Sequence, residues 1–208
     1  MPAAISGLYV ITQAGWPRPV ALESAVSAAL RGGANVVQYR DKSEDHRRRL
    51  TEASALAALC ATFKASFIVN DDAELALAAG AHGVHLGQDD DDIAAARATL
   101  GPAAIIGVSC YGDLDRARAA VAAGADYLAF GSVYPSTTKP NAPRAALECF
   151  TQARAFTDCP LVAIGGIDSS NIAEVTAAGA DAVAVVEAVF GKADIEHATA
   201  TLIERANL

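Results

Sequence analysis

Short apolar runs alternate with alanine-rich segments along the whole chain. Segments such as Leu22–Leu30, Asp45–Phe63, Asp113–Ala122 and Ala145–Phe156 have the spacing of amphipathic or buried helices. Nearly continuous apolar strands separated by helices predict a parallel sheet that is covered by helices on its outer face. The eight predicted strands are Leu8–Thr12, Val36–Arg40, Phe67–Asn70, Val84–Gly87, Ile105–Ser109, Tyr127–Gly131, Leu161–Gly165 and Ala182–Val186.

A weak repeat indicates how this sheet is closed. A glycine followed by alanine stands before the second, fourth, sixth and eighth strands, at Gly33, Gly80, Gly124 and Gly179. Glycine after the last helical turn is a C-cap that lets the chain reverse. Eight strands, with every second one entered in the same way, favour a single eight-stranded parallel (β/α)8 TIM barrel over residues 1–208 rather than an open doubly wound sheet.

The composition fits a large core built from small side chains. The chain is 52% apolar and only 6% aromatic, and its net charge of −8 argues against a general affinity for nucleic acid or anionic membranes. No run approaches the roughly 20 apolar residues of a membrane helix, and the N-terminus lacks the pattern of a signal peptide. Four widely spaced cysteines are typical of reduced thiols, so we expect a cytoplasmic protein.

Polar residues follow several of the predicted strands. Barrel enzymes place their chemistry in the loops after the strands, so these residues are interpreted as one group. Gln38 and Arg40 share a face of the second strand opposite Tyr39, and Lys42 continues the alternation. We expect them at the mouth of the barrel, although a solvated strand exit is the alternative.

The third, fourth and fifth strands end in oxygen-bearing side chains. Asn70 and Asp71 offer an amide and a carboxylate, or form part of a helix cap with Asp72. Four aspartates follow the fourth strand, and one of them with Asp71 would supply hard ligands for Mg²⁺, although most suit a solvated helix start. Ser109 is either a packing hydroxyl or a ligand donor, and His85 is interpreted as mainly structural.

Two later segments suit bound phosphate. The loop Phe130–Pro140 carries three hydroxyls, Ser136–Thr138, followed by Lys139, a combination that binds oxyanions unless it is merely a polar surface loop. Backbone amides after the seventh and eighth strands, near Gly166 and Glu187, form the phosphate site of many barrels, with a tight glycine turn as the alternative.

Charge complementarity favours a diphosphate over a single phosphate. The cations Arg40, Lys42 and Lys139 outnumber Asp71 and one later aspartate, and Mg²⁺ would leave a cluster that matches a diphosphate ester. Two anion sites and a metal, without an evident acid–base pair, indicate chemistry in which diphosphate leaves an electrophilic carbon.

The sequence resembles the thiamine phosphate synthase family over essentially its whole length. The segments that carry the resemblance are LYVIT, VQYRDK, FIVNDDAELA, GVHLGQDD, IIGVSCYG, DYLAFGSVYPSTTKP, VAIGGID and AVAVVEAVF. The resemblance implies a β/α barrel with two small phosphorylated substrates, a hydroxymethylpyrimidine diphosphate and a thiazole phosphate, which are joined with release of pyrophosphate. It also implies that the C–O bond breaks before the thiazole nitrogen attacks.

The resemblance further implies a set of site residues. Those expected to hold the pyrimidine diphosphate are Gln38, Tyr39, Arg40, Asp41, Lys42, Asn70, Ser109 and Lys139, with Lys139, Arg40 and Ser109 also acting in catalysis. Asp71 and Asp90 are expected to bind Mg²⁺. The thiazole phosphate is expected to contact Ser136, Thr137, Thr138, Gly166, Val186 and Glu187.

Two positions depart from the usual family pattern. Glu187 stands where many members have serine, so we expect its side chain to turn away and its backbone alone to contribute. Ser136 replaces the more usual threonine and keeps the hydroxyl donor. The competing interpretations are a thiazole tautomerase-like isomerase, which shares the barrel but handles no diphosphate, and a non-catalytic phosphate-binding barrel.

Overall fold

The eight predicted strands close into one barrel. The structure is a computed structural model that describes residues 5–87, 92–135 and 143–207. Its strands are β1 (Gly7–Ile11), β2 (Val36–Tyr39), β3 (Ser66–Asn70), β4 (Gly83–Leu86), β5 (Ile105–Tyr111), β6 (Tyr127–Phe130), β7 (Leu161–Ile164) and β8 (Ala182–Val185). They pair in sequence order, all parallel, and β8 pairs with β1. The predicted TIM barrel is confirmed.

Helices follow the strands around the outside of the barrel. In the described residues they are α1 (Leu22–Arg31), α2 (His46–Phe63), α3 (Ala73–Ala79), α4 (Ile93–Leu100), α5 (Leu114–Ala122), α6 (Glu148–Arg154), α7 (Ile172–Ala177), α8 (Glu187–Phe190) and α9 (Ile195–Ala206). The predicted helix Ala145–Phe156 is thus shorter than expected. Its first residues instead bond to the loop after β6, where the Ala145 N–H donates to the Ser132 carbonyl.

The helix ends follow the sequence signals. The four repeated glycines, Gly33, Gly80, Gly124 and Gly179, all have positive φ angles, between 69° and 105°, as a C-cap glycine requires. Asp72 caps the start of α3, where its carboxylate accepts a hydrogen bond from the Leu75 N–H at 2.8 Å. Within the described ranges, every helix is too short or too polar to span a lipid bilayer.

The alternation along each strand divides the core into two layers. On β1, Leu8 and Val10 pack under the helices, whereas Tyr9 and Ile11 face the barrel interior. The interior is filled by few large side chains, among them Tyr9 and Tyr127, together with small ones such as Ala129. Gly107 makes room for them, because a Cβ there would lie 1.9 Å from Cζ of Tyr127.

Candidate active site

A cavity of about 380 Å³ opens at the C-terminal ends of the strands. Parallel closure puts all eight strand ends at this rim, so side chains far apart in sequence meet there. The predicted site residues that line it are Gln38, Arg40, Asn70, Ser109, Gly166, Val186 and Glu187. They come from β2, β3 and β5 on one arc of the rim and from the ends of β7 and β8 on another.

Arg40 brings a positive charge to this cavity. Its backbone N–H donates to Oγ1 of buried Thr12 at 2.9 Å, which fixes the end of β2 against β1. Its half-buried guanidinium makes no hydrogen bond or ion pair among residues 5–87, 92–135 and 143–207. A guanidinium that the protein does not neutralise is suited to a phosphate or carboxylate of a ligand.

An open cleft of about 450 Å³ adjoins the cavity. Lys42 and Asp71 lie in it, with Nζ of Lys42 2.8 Å from Oδ2 of Asp71. Asn70 lines both the cavity and the cleft and so joins them. Asp71 has a φ of 66°, in the left-handed region, and its N–H donates to the His85 carbonyl at 2.8 Å. The local backbone thus holds this carboxylate in the cleft beside Asn70.

The described part of the site contains one of the two carboxylates predicted to bind Mg²⁺. Asp71 offers a carboxylate that is partly open to solvent. The described residues contain no group of three or more His, Cys, Asp and Glu side chains arranged around a metal. Magnesium bound together with substrate phosphates needs only one or two protein carboxylates, so this donor set is sufficient when a second aspartate contributes.

Five predicted site residues lie outside the described part of the chain. They are Asp90, Ser136, Thr137, Thr138 and Lys139. Of the aspartates after β4, Asp92 is described, and its carboxylate caps α4 by accepting from the Ala95 N–H at 2.6 Å. The expectation of a helix start is thus confirmed for Asp92, and the other three aspartates lie outside the described residues.

Tyr39 does not bring its side chain to the cavity. The ring is buried in the layer between barrel and helices, and its hydroxyl donates to Glu52 on α2 at 2.6 Å. The side chain of Tyr39 therefore has a structural position, and the part of Tyr39 in binding the pyrimidine diphosphate stays a prediction. The reason is the strand alternation, which sends Gln38 and Arg40 inward and Tyr39 outward.

Asp41 borders the adjoining cleft, but its carboxylate serves the fold. The side chain is 2% exposed, and it accepts hydrogen bonds from the Ser43 N–H at 2.8 Å and from the Arg48 guanidinium at 2.8 Å. Burial alone would raise the pKa of the Asp41 carboxyl, but these bonds and one from the Gly15 N–H outweigh it and lower the pKa to about 2. Asp41 thus anchors the loop that carries Lys42.

Glu187 has protein partners that the sequence did not reveal. Its carboxylate accepts from Gln13 Nε2 at 2.7 Å and forms an ion pair with Arg18 at 2.5 Å. The carboxylate charge at the cavity wall is therefore balanced by a cation from the loop after β1. Arg18 lies 169 positions earlier in the sequence, so no local pattern could indicate this pair.

Two further groups at the site were missed. Arg116 on α5 donates from Nε to the Ser109 carbonyl at 2.6 Å and from Nη2 to the Gly87 carbonyl at 2.8 Å. These two bonds tie the end of β4 to the end of β5. Tyr9, Tyr127 and His85 line the floor of the cavity and are hydrogen-bonded to one another. The sequence analysis interpreted His85 as mainly structural and gave no role to the two tyrosines, because an apolar run carries no local sign of such polar contacts.

Comparisons with known proteins show the family to which the chain belongs. A family model described as thiamine monophosphate synthase matches residues 8–189. The thiamine-phosphate synthase of Halorhodospira halophila is 57% identical over 202 residues, which cover 97% of this chain and 95% of that protein. The thiamine-phosphate synthase of Thioalkalivibrio sulfidiphilus is 56% identical over 193 residues, which cover 92% of this chain and 91% of that protein. The solved thiamine phosphate pyrophosphorylase from Pyrococcus furiosus matches with a TM-score of 0.89 at 36% identity, covering 99% of this chain and 97% of that one.

The buried Asp41 carboxylate predicts a stability that depends on pH. Its folded-state pKa of about 2 lies below the ordinary value of 3.8, so its contribution is complete above about pH 4 and is lost as the pH falls toward about 2. We expect Asp41→Asn to lower the free energy of unfolding by about 2 kcal/mol at neutral pH, measured by urea denaturation, and by clearly less at about pH 3.

The matched control is Asp115→Asn. Asp115 is 95% exposed and pairs only with Arg118 on the same helix among the described residues, so the change should be within about 0.5 kcal/mol. Equal effects of the two substitutions, or an Asp41→Asn effect that does not shrink at low pH, would contradict this account.

Proposed function

Since the chain belongs to the thiamine monophosphate synthase family, we propose that it is a thiamine phosphate synthase of thiamine biosynthesis. It joins a hydroxymethylpyrimidine diphosphate to a thiazole phosphate and releases pyrophosphate. A carboxylated thiazole phosphate is the alternative second substrate. The observation that carries the proposal is the position of Arg40, a cation without a protein partner among the described residues, in a cavity that Asn70 joins to the cleft of Lys42 and Asp71.

That arrangement suits a diphosphate ester. Arg40 and Lys42 leave β2 on the same alternating face, one toward the cavity and the other toward the cleft. We propose that the diphosphate lies across Asn70 between these two cations, while the pyrimidine ring enters the cavity toward Gln38. Ser109, on the other side of this arc, is then within the same cavity and available as a hydrogen-bond donor.

A second phosphate fits the other arc of the rim. Gly166 has a φ of 65° and lies against the loop after β6, where a Cβ would be 2.3 Å from the Pro135 carbonyl oxygen. The short helix α8 begins directly after β8. The N–H groups of Val189 and Phe190 donate to the Val186 carbonyl, whereas those of Glu187 and Ala188 make no backbone hydrogen bond among the described residues. We propose that the backbones at Gly166, Val186 and Glu187 hold the thiazole phosphate together with Ser136, Thr137 and Thr138.

The proposed reaction needs alignment and leaving-group stabilisation more than a general base. The bond from the pyrimidine methylene carbon to the diphosphate oxygen breaks first, and its electron pair leaves with the diphosphate. The lone pair of the thiazole nitrogen then forms the new C–N bond, and no proton is transferred. Arg40, Ser109 and Lys139 stabilise the charge that develops on the leaving oxygen, and the cavity holds the two reacting atoms in line.

We propose Mg²⁺ as the cofactor, held by Asp71 and Asp90. When bound, it would neutralise charge on the diphosphate and so make it a better leaving group. The ion pair of Lys42 with Asp71 is compatible with this role, because the lysine can turn to a phosphate oxygen when the carboxylate binds the metal. The side chain of Lys42 is more than half exposed and is free to make that movement.

We propose a cytoplasmic location. All four cysteines are free thiols, and Cys60, Cys110 and Cys149 are buried. Burial raises the pKa of Cys60 and of Cys110 to about 12, so these thiols stay protonated and unreactive at neutral pH. Unpaired cysteines of this kind suit a reducing compartment.

One assay separates the synthase from its two rivals. Purified protein is mixed with both substrates and Mg²⁺, and pyrophosphate and thiamine phosphate are measured together. The proposal predicts equal amounts of both products, none when either substrate is omitted, and none after the metal is chelated. A thiazole tautomerase would isomerise its substrate without pyrophosphate release, and a binding protein would retain ligand without turnover; either result would refute the proposal.

Arg40 gives a more specific prediction. Loss of a charge-assisted hydrogen bond in a desolvated site costs about 1.5–3 kcal/mol, so Arg40→Gln should lower kcat/KM for the pyrimidine diphosphate by about 10- to 100-fold. The control is Arg47→Gln, the same change at an exposed position of α2, which should leave kcat/KM unchanged. If the two variants lose activity equally, or if neither does, Arg40 does not bind the diphosphate.

A further inference from the structure

Five polar side chains form a line across the floor of the cavity. Gln38 Nε2 lies 2.7 Å from the Tyr9 hydroxyl, and the Tyr9 hydroxyl lies 3.0 Å from that of Tyr127. The Tyr127 hydroxyl is 2.9 Å from Nδ1 of His85, and Nε2 of His85 is 2.9 Å from Oγ of Ser109. The line runs from the end of β2 to the end of β5 through the barrel interior and connects two residues assigned to the same substrate.

The amide of Gln38 determines in which direction the hydrogen bonds along this line are donated. The amide nitrogen of Gln38 can only donate, so the Tyr9 oxygen accepts from it. Among the described residues, the Tyr9 hydroxyl has Gln38 and Tyr127 as its hydrogen-bond contacts, so its own proton goes to the Tyr127 oxygen. If Tyr127 donated to Tyr9 instead, the Tyr9 hydroxyl proton would have no acceptor. Tyr9 is 1% exposed, and a buried donor without an acceptor costs stability.

The same reasoning assigns the hydrogen bonds from Tyr127 to His85 and from His85 to Ser109. The Tyr127 oxygen already accepts from Tyr9, so its proton goes to Nδ1 of His85. Burial raises the pKa of both phenols above the ordinary value, so each keeps a proton to donate at neutral pH. With Nδ1 as an acceptor, the ring proton of His85 is on Nε2, which faces Ser109.

We propose that His85 is a positioning residue, which donates from Nε2 to Oγ of Ser109 and thereby turns the serine proton toward the ligand. This deepens the proposed function, because it rests on the diphosphate as the ligand that supplies the acceptor oxygen at Ser109. Since Ser109 accepts from the histidine, its own proton has to find another acceptor. Arg116 donates to the backbone carbonyl of Ser109 and so fixes the backbone there. The direction of the Ser109 hydroxyl proton is what the hydrogen bond from His85 can still determine.

The line also determines what its first member can offer. One N–H of the Gln38 amide is donated to Tyr9, so its carbonyl oxygen and its second N–H remain for a ligand. The cavity floor therefore presents an acceptor and a donor at Gln38 and a donor at Ser109. A ligand that carries an amino group on its ring and anionic oxygens on its side chain matches both ends. The reverse order would need Tyr9 to donate to the Gln38 carbonyl and Ser109 to donate to His85.

Nuclear magnetic resonance distinguishes the two directions without any substrate. The full-length protein is labelled with ¹⁵N-histidine, and long-range correlations show which ring nitrogen carries the proton. His85 is one of four histidines in the chain and is assigned by the signal that is absent in His85→Gln. We expect the His85 proton on Nε2 and a bare Nδ1. A proton on Nδ1 would overturn the proposal, whether or not the protein proves to be a synthase.

Kinetics test the action through Ser109. The glutamine in His85→Gln can place an N–H where Nε2 stood, whereas His85→Leu removes the donor. We expect kcat for pyrophosphate release to fall less than about 10-fold in His85→Gln and about 100-fold in His85→Leu, with KM for the thiazole phosphate unchanged. In a Ser109→Ala background the two substitutions should have equal kcat values.

Equal losses in the two variants with Ser109 intact would show that the ring only fills space, and a difference that persists without Ser109 would show that His85 acts by another route. Either result overturns the proposal. Thermal unfolding of each variant confirms that folded protein is compared, and the ligand-free resonance measurement still decides if His85→Leu does not fold.

Discussion

The closure of eight parallel strands is the constraint on which the rest of the structure depends. Pairing of β8 with β1 leaves no free sheet edge, and it places every strand end on one rim. Residues as distant in sequence as Arg40 and Glu187 therefore share a cavity. The same closure creates a narrow interior, which must be filled. It is filled by two tyrosines, several isoleucines and smaller neighbours, with Gly107 leaving the space that the Tyr127 ring occupies.

The charged residues at the rim divide into those that stabilise the protein and those left for a ligand. Asp41 is paired with Arg48, Asp72 with Arg49, and Glu187 with Arg18. Arg40 has no such partner among the described residues. This division supports the proposed anion site in a chain with a net charge of −8. Three of the described acidic side chains that line the cavity or the cleft are thus engaged by arginines, so they repel a phosphate less than their number suggests.

The sequence predicted the strands, the barrel and the polar strand ends at which the cavity opens. These depend on local periodicity and on the glycine C-caps, which act over a few residues. The partners of Asp41 and Glu187 depend on contacts made only after folding, so no local pattern indicated them. Tyr39 was included with its neighbours by motif, although the alternation of the strand already placed it on the opposite face. The polar line of Tyr9, Tyr127 and His85 was hidden because each residue stands in an apolar run.

The central claim is that the ends of β2, β3 and β5 form one binding surface for a diphosphate. Backbone amide shifts during a titration with inorganic pyrophosphate and Mg²⁺ test it most directly. The account predicts that the amides of Arg40, Asn70 and Ser109 shift together with one apparent Kd, while those of Gly80 and Gly124, at the opposite end of the barrel, do not move. Shifts confined to a single strand end, or shifts at the opposite end, would contradict it.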